Sequence, residues 1–260
     1  MHPMLNIAVR AARKAGTIIT RSMERVDTLS VTTKTRNDFV TEVDQRAEQE
    51  IIAVIKKAHP DHGFLAEESG AQGSGDYLWV IDPLDGTTNF LHGFPQFAVS
   101  IACQHKGRLE HAVVYDPVRE ELFTASRGAG AQLNGRRMRV SKAQQLEGSL
   151  IGTGFPFREI THMDAYMRMF RSLMPETAGI RRAGAATLDL AYVAAGRLDG
   201  FWEFGLKPWD MAAGVLLIQE AGGFVSDFTG SEDYVNSGNI VAGNAKILTQ
   251  LIQKIKEFAV

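Results

Sequence analysis

The sequence has a single cysteine, Cys103. That excludes a disulfide framework, and any zinc site would have to be built without cysteine pairs. Apolar runs are short, and none reaches the ~18–20 residues needed to cross a bilayer. The N-terminal stretch does not read as a secretory signal, because Arg10, Arg13 and Lys14 interrupt it. Neither sign of charge dominates: Lys plus Arg number 28 and Asp plus Glu 30, a formal net charge of −2. A dedicated nucleic-acid binder would carry a strong basic excess, so direct sequence-specific nucleic-acid binding is not expected. Walker A, Gly-x-Ser-x-Gly and His-Glu-x-x-His patterns are absent. The seven histidines (His2, His59, His62, His92, His105, His111, His162) are scattered, and none forms a paired metal motif. These absences lead to the expectation of a cytoplasmic globular protein with no membrane partner.

What is present supports a substantial core, since 45% of the 260 residues are hydrophobic. Residues 4–22 place Leu5, Ala8, Ala12, Ala15 and Ile19 at helical spacing, and a second amphipathic helix after Asp44 carries Ala47, Ile51, Val54, Ile55 and Ala58. His59-Pro60 stops it. The period then shortens, with strand-length runs at 64–66 and 77–81 separated by a Gly/Ser-rich stretch at 70–75. Runs at 97–104, 109–115 and 121–126 with short turns predict an antiparallel meander. Downstream, helices are expected at 163–174, 187–195, 209–221 and 246–258, with strands at 198–204, 224–227 and 240–242. The fold class is therefore α/β (α+β). Residues 1–145 form an N-terminal α+β half and 146–260 a C-terminal α/β half, packed as one compact unit.

The chemistry concentrates in Trp79-Val80-Ile81-Asp82-Pro83-Leu84-Asp85-Gly86-Thr87-Thr88-Asn89-Phe90, where an apolar strand leads into two carboxylates three residues apart. Pro83 stiffens the turn, and Gly86 permits close backbone approach to a ligand. Glu67-Glu68 follows the end of another strand-length run, and Asp210 opens a downstream helix, where it suits an N-cap. Gathered in one pocket, Glu67, Asp82, Asp85 and Asp210 would repel one another unless cations filled the site or some carboxylates stayed protonated. With oxygen ligands alone, Mg2+ is the expected ion, Mn2+ is possible and zinc is disfavoured. Isolated readings are blander. Cys103 suits buried filler, His92 lies close enough to the motif to touch substrate, and Arg136-Arg137-Met138-Arg139 suits a solvated edge.

These segments resemble the inositol monophosphatase family. Asp82-Pro83-Leu84-Asp85-Gly86-Thr87-Thr88-Asn89 resembles its first signature; Trp209-Asp210-Met211-Ala212-Ala213-Gly214 with Glu220-Ala221-Gly222-Gly223 resembles its second. Glu67-Glu68-Ser69 fits its metal-binding glutamate. Similarity runs from Asn37-Asp38-Phe39-Val40-Thr41 to Ile240-Val241-Ala242-Gly243-Asn244. Thr153-Gly154-Phe155-Pro156-Phe157 and Leu188-Asp189-Leu190-Ala191-Tyr192-Val193-Ala194-Ala195-Gly196-Arg197 are similar to its bacterial SuhB-type branch.

The resemblance implies a layered αβαβα sandwich of the inositol monophosphatase/fructose-bisphosphatase kind, with a mixed, largely antiparallel sheet, assembled as a homodimer. It implies Mg2+-dependent, lithium-sensitive hydrolysis of inositol 1-phosphate or a related small phosphorylated polyol by a metal-activated water, with two to three ions. Glu67, Asp82 and the Leu84 carbonyl would hold the first ion, and Asp82, Asp85 and Asp210 the second. Thr87, bonded to Asp44, would orient the water, with Glu67 as base. The Gly86 and Thr87 amides would take phosphate, and Asp85, Ala186, Glu203 and Asp210 the substrate hydroxyls, with Arg182 near the pocket. Alternative substrates are fructose 1,6-bisphosphate and 3′-phosphoadenosine nucleotides. Pro208 and Ala185 depart from animal members, which bears on substrate preference. The bacterial branch also implies a non-catalytic role in ribosomal RNA transcription antitermination, through the elongation factor NusA.

Overall fold

A computed structural model describes residues 2–25, 31–35, 38–156 and 160–259. Asn37 and Phe157, each at the end of a stretch that carries the family resemblance, lie outside these residues.

The chain opens with α1 (Pro3–Met23), whose Leu5, Ala8, Ala12, Ala15 and Ile19 form a buried face as the spacing predicts. Pro3 is tolerated because the first helical N–H groups have no intrahelical acceptor. A ribbon of β1 (Val31–Thr35) and β2 (Asp38–Thr41) leads into α2 (Glu42–Ala58). Small alanines on the facing sides bring the two helices together over an eight-stranded sheet.

That sheet contains β3 (Gly63–Ala66), β4 (Gly70–Gln72), β5 (Tyr77–Asp85), β6 (Ala98–His105), β7 (Arg108–Asp116), β8 (Glu121–Ser126), β9 (Gly130–Leu133) and β10 (Arg136–Arg137), in the order β10-β9-β8-β7-β6-β5-β3-β4. Only the β3–β5 pairing is parallel, so the predicted meander holds. Two local expectations need correction. The Gly-rich stretch is not all loop, because Gly70–Gln72 pairs with β3 as an edge strand. Strand β5 does not stop at Ile81: it runs through Pro83 to Asp85, with its register to β6 broken between Asp82 and Asp85. A proline lacks the N–H a ladder needs, and here it sits where the ladder is interrupted. The turn after β5 becomes α3 (Thr87–Leu91).

The second half adds β11 (Leu150–Thr153), α4 (Met163–Leu173), β12 (Gly179–Arg181), α5 (Ala186–Ala194), β13 (Gly200–Glu203), α6 (Pro208–Glu220), β14 (Phe224–Ser226), α7 (Tyr234–Ser237), β15 (Ile240–Gly243) and α8 (Ala245–Ile255). Its five strands form a separate sheet, ordered β12-β11-β13-β15-β14, with β11 parallel to both neighbours and the remaining pairs antiparallel. The two sheets are the two β layers of the expected αβαβα sandwich.

Three hydrophobic cores separate the layers. One lies between α1/α2 and the large sheet, one surrounds α5/α6 between the sheets, and one lies between the small sheet and α4/α8. The order is αβαβα. Helix α6 is apolar on nearly every side, from Met211 through Ile218, as a helix sandwiched between sheets must be. Its Gly214 lets α5 approach closely, for a Cβ there would stand 2.5 Å from Leu190 Cβ. The middle core draws Val80, Val114 and Phe123 together with Leu190, Leu216 and Ile240, so both stretches of chain share it.

Candidate active site

The site forms where β5 breaks its register. Asp82 is 1% exposed, and its Oδ1 accepts the Leu84 N–H at 3.0 Å. Burial pushes its pKa well above the ordinary carboxylate range, and Glu67, Asp85 and Asp210 push it further in the same direction. These four groups arrive from three places: Glu67 just beyond β3, Asp82 and Asp85 in β5, and Asp210 in the first turn of α6. Asp210 is not the N-cap the sequence suggested. Lys207 occupies that position, and the Asp210 Oδ2 accepts its N–H at 2.7 Å. Among the described residues, no three His, Cys, Asp or Glu side chains stand as a ready-made cage for a metal ion.

Gly86 turns the chain from β5 into α3 at φ 91° and ψ 34°, a left-handed conformation that favours glycine. A Cβ there would also approach Gln96 O to 2.8 Å. The N–H groups opening the helical turn have no intrahelical acceptor, and Gly86, Thr87 and Thr88 line the cavity.

Thr87 ties this turn to α2. Its Oγ1 lies 2.9 Å from Asp44 Oδ1 and 3.0 Å from the Leu84 carbonyl. A hydroxyl carries one proton, so the two acceptors compete for it. Asp44 Oδ2 in turn accepts the Thr41 N–H at 2.8 Å and the Thr41 hydroxyl at 2.5 Å, closing a capping box. Burial raises the Asp44 pKa, while these hydrogen bonds oppose the rise. The expected Asp44–Thr87 contact is present, with Asp44 behind the cavity wall.

A cavity of about 1050 Å³ collects the other predicted residues: Glu67, Asp82, Leu84, Asp85, Gly86, Thr87, Ala186, Glu203, Asp210 and Arg182 all line it. Glu203, at the end of β13, packs its carboxyl over Gly154, where a Cβ would collide with it. Burial first, then Asp189, Asp210 and Asp85, push the Glu203 pKa well up. Arg182 stacks over the Phe155 ring, 4.9 Å from its centroid.

Sequence reasoning missed three participants. Thr187 gives both its N–H, at 2.7 Å, and its hydroxyl, at 2.6 Å, to Asp85 Oδ2. Asn89 Nδ2 reaches the carbonyls of Gln96 at 2.8 Å and Ala183 at 3.0 Å, fastening α3 to the loop before α5. Asp189 also lines the cavity. The available signal was the presence of Thr187 and Asp189 in an otherwise apolar helical stretch. His92 is exposed and does not line the cavity; His162, stacked 5.1 Å from Phe204, does.

The histidines are less scattered than the sequence implies. His59 stacks on His62 at 4.5 Å, His62 on Tyr77 at 4.6 Å, Tyr77 on His105 at 4.3 Å, and His2 on His111 at 4.3 Å. His2, Tyr77, His105 and His111 line a second cleft of about 640 Å³. Cys103 is buried filler as expected, its thiol pushed up to about 12 by burial and Glu110. Arg136 and Arg137 form the exposed sheet edge.

The inositol monophosphatase family matches residues 1–259. The chain is 66% identical to a protein named Nus factor SuhB from Pseudomonas aeruginosa, over 98% of this chain and 97% of that protein. It is 56% identical to Nus factor SuhB of Escherichia coli K12, over 99% and 97%. Among solved structures, the extragenic suppressor protein SuhB of Bartonella henselae superposes with a TM-score of 0.96 at 47% identity, covering 98% of this chain and 99% of that one. An inositol monophosphatase from Anabaena gives 0.84 at 38% identity, covering 97% and 95%. The layered fold, the acidic cavity and these full-length matches agree: the chain belongs to the inositol monophosphatase family.

Proposed function

We propose that the chain hydrolyses phosphate monoesters of small polyols, inositol 1-phosphate first among them, using divalent cations. The observation that carries this reading is the gathering of Glu67, Asp85 and Asp210 around the buried Asp82 on one large cavity. Mutually repelling carboxyl groups in a poorly hydrated site favour either protonation or a cation. The donor set fits Mg2+, because every group is a hard oxygen and no thiol is near. Glu67, Asp82, Asp85, Asp210 and the Leu84 carbonyl would hold two to three such ions. Mn2+ would substitute, and Li+ would inhibit. Bound there, the metal supplies positive charge against the phosphate and makes water more acidic at neutral pH.

The protein's own groups account for the rest. Asp44 fixes the Thr87 hydroxyl, which orients the attacking water, and Glu67 accepts a proton from it. The Gly86 and Thr87 amides receive phosphate oxygens, as N–H groups at a tight turn do. Asp85, Asp210, Glu203 and the Ala186 main chain meet hydroxyls of the alcohol portion, with Arg182 at the rim. Thr187 holds Asp85 in place. The test is phosphate release from inositol 1-phosphate, fructose 1,6-bisphosphate and 3′-phosphoadenosine nucleotides, with and without Mg2+ and Li+. We expect Mg2+-dependent, Li+-inhibited release, fastest with inositol 1-phosphate. Equal release in excess chelator would overturn the reading.

High identity to two proteins named Nus factor SuhB favours a second role, in transcription antitermination; NusA is the partner that the family resemblance implies. Asp82→Asn in cells lacking the native chain separates the two roles. Normal ribosomal RNA synthesis without phosphatase activity would support an independent binding role, and joint loss would count against it.

A further inference from the structure

Resting on the phosphatase reading above, we infer that Asp189 is a specificity residue: paired with Glu203, it forms an acceptor end of the cavity that selects a neutral, hydroxyl-rich alcohol portion. Helix α5 is otherwise almost wholly apolar and is buried along its length. Asp189 follows Ala186 by three positions, so the two share one helix face. It is 2% exposed, yet it lines the cavity. Among the described residues, no hydrogen bond reaches its carboxyl; the influences on it are burial, Asp85 and, in the opposite sense, the charge of Arg182. The Glu203 carboxyl is likewise reached by no hydrogen bond from a described residue.

A carboxyl group held in the interior without a donor is costly, and packing alone would favour an apolar side chain of similar volume at position 189. The compensating partner has to come from the cavity. Carboxyl groups offer acceptor oxygens and, when protonated, one donor, so the two at one end of the cavity match hydroxyl groups, which both donate and accept. Neither can neutralise a second phosphate. A polyol monophosphate fits this end, and a sugar bisphosphate is disfavoured. The phosphate end, at Gly86 and Thr87, is indifferent to this choice.

The experiment compares wild type, Asp189→Leu and Asp189→Asn on inositol 1-phosphate and on p-nitrophenyl phosphate, which carries no hydroxyl. We expect Asp189→Leu to raise KM for inositol 1-phosphate by roughly ten- to hundredfold, the loss of one or two hydrogen bonds to a charged group. Its kcat/KM for p-nitrophenyl phosphate should stay within about twofold. Asp189→Asn should recover part of the lost affinity. In a thermal-shift assay, myo-inositol should raise the Tm of wild type and not of Asp189→Leu, whereas inorganic phosphate should raise both. Asp189→Leu should itself melt at a higher temperature, as removal of an unserved buried carboxyl predicts. Equal losses on both substrates, or unchanged KM for both, would overturn the assignment. A wild type inactive on both substrates with Mg2+ would instead remove the phosphatase reading on which the assignment rests.

Discussion

Two clefts in this molecule concentrate titratable side chains, and they resolve the resulting electrostatic problem in opposite ways. The cleft lined by His2, His105 and His111 holds stacked rings, with His111 Nδ1 2.9 Å from the Ser126 hydroxyl. The larger cavity places four carboxyl groups where burial and mutual repulsion raise the Asp82 pKa well above its ordinary value. Imidazoles near neutral pH shed their charge at little cost. Carboxyl groups ordinarily titrate near ~4, so holding several together without their charge needs a much larger shift. The difference favours the acidic cavity as the proposed working site, where a bound cation would offset the repulsion among the carboxyl groups.

The sharpest way to break that comparison is Asp82→Asn. The change removes the carboxylate at the centre of the cluster, and activity should fall by at least about a thousandfold. Asp82 has its pKa raised by folding, so its ionised form disfavours the fold above the unfolded pKa. The amide should therefore keep or raise the Tm at neutral pH. A lower Tm together with near-normal turnover would contradict both halves of the claim.

Asp44→Ala comes next. It removes the anchor of Thr87 and the capping box at α2 together. Activity should drop by roughly a hundredfold, with a loss of about 1 kcal/mol in urea unfolding. Unchanged kinetics with the same stability loss would reduce Asp44 to a helix cap. A smaller effect is expected at Thr187. Thr187→Ala frees one of the two bonds on Asp85 Oδ2, and Mn2+ affinity by calorimetry should weaken by about tenfold, with recovery in Thr187→Ser.

The smallest effect tests the other cleft. His111 has its pKa lowered to about 4, first by burial and then by His2, with Glu110 opposing. The unfolded chain takes up this proton below about 6.5, and the folded chain resists it until about 4. Stability should be level above neutrality and decline as pH falls through that window. In His111→Gln the decline should be shallower. A parallel pH profile for the variant would show that the stack carries no such linkage.

The layers were legible because their cores repeat. Alanines and isoleucines in α1 and α2, and strand-length runs from Ala98 to Ser126, follow the periods of their elements. Two strands of the second sheet were not legible. Strands β11 and β12 are only four and three residues long, too short for a period to register against neighbouring loops. At the site, Asp82, Asp85 and Gly86 announced themselves by density within one segment, and Glu67 and Asp210 by their place at element ends. Thr187 and Asp189 did not. A lone threonine or aspartate in a helix is unremarkable until the large sheet brings Asp85, and the small sheet Glu203, towards it. Two of the ring stacks were hidden for the same reason, since His2 meets His111, and His105 meets Tyr77, only through folding.

The most direct test is anomalous diffraction from crystals soaked in Mn2+. Cation peaks among Glu67, Asp82, Asp85 and Asp210, with none between His2 and His111, are predicted. Peaks confined to the histidine cleft, or an acidic cavity without any peak at saturating Mn2+, would contradict the account.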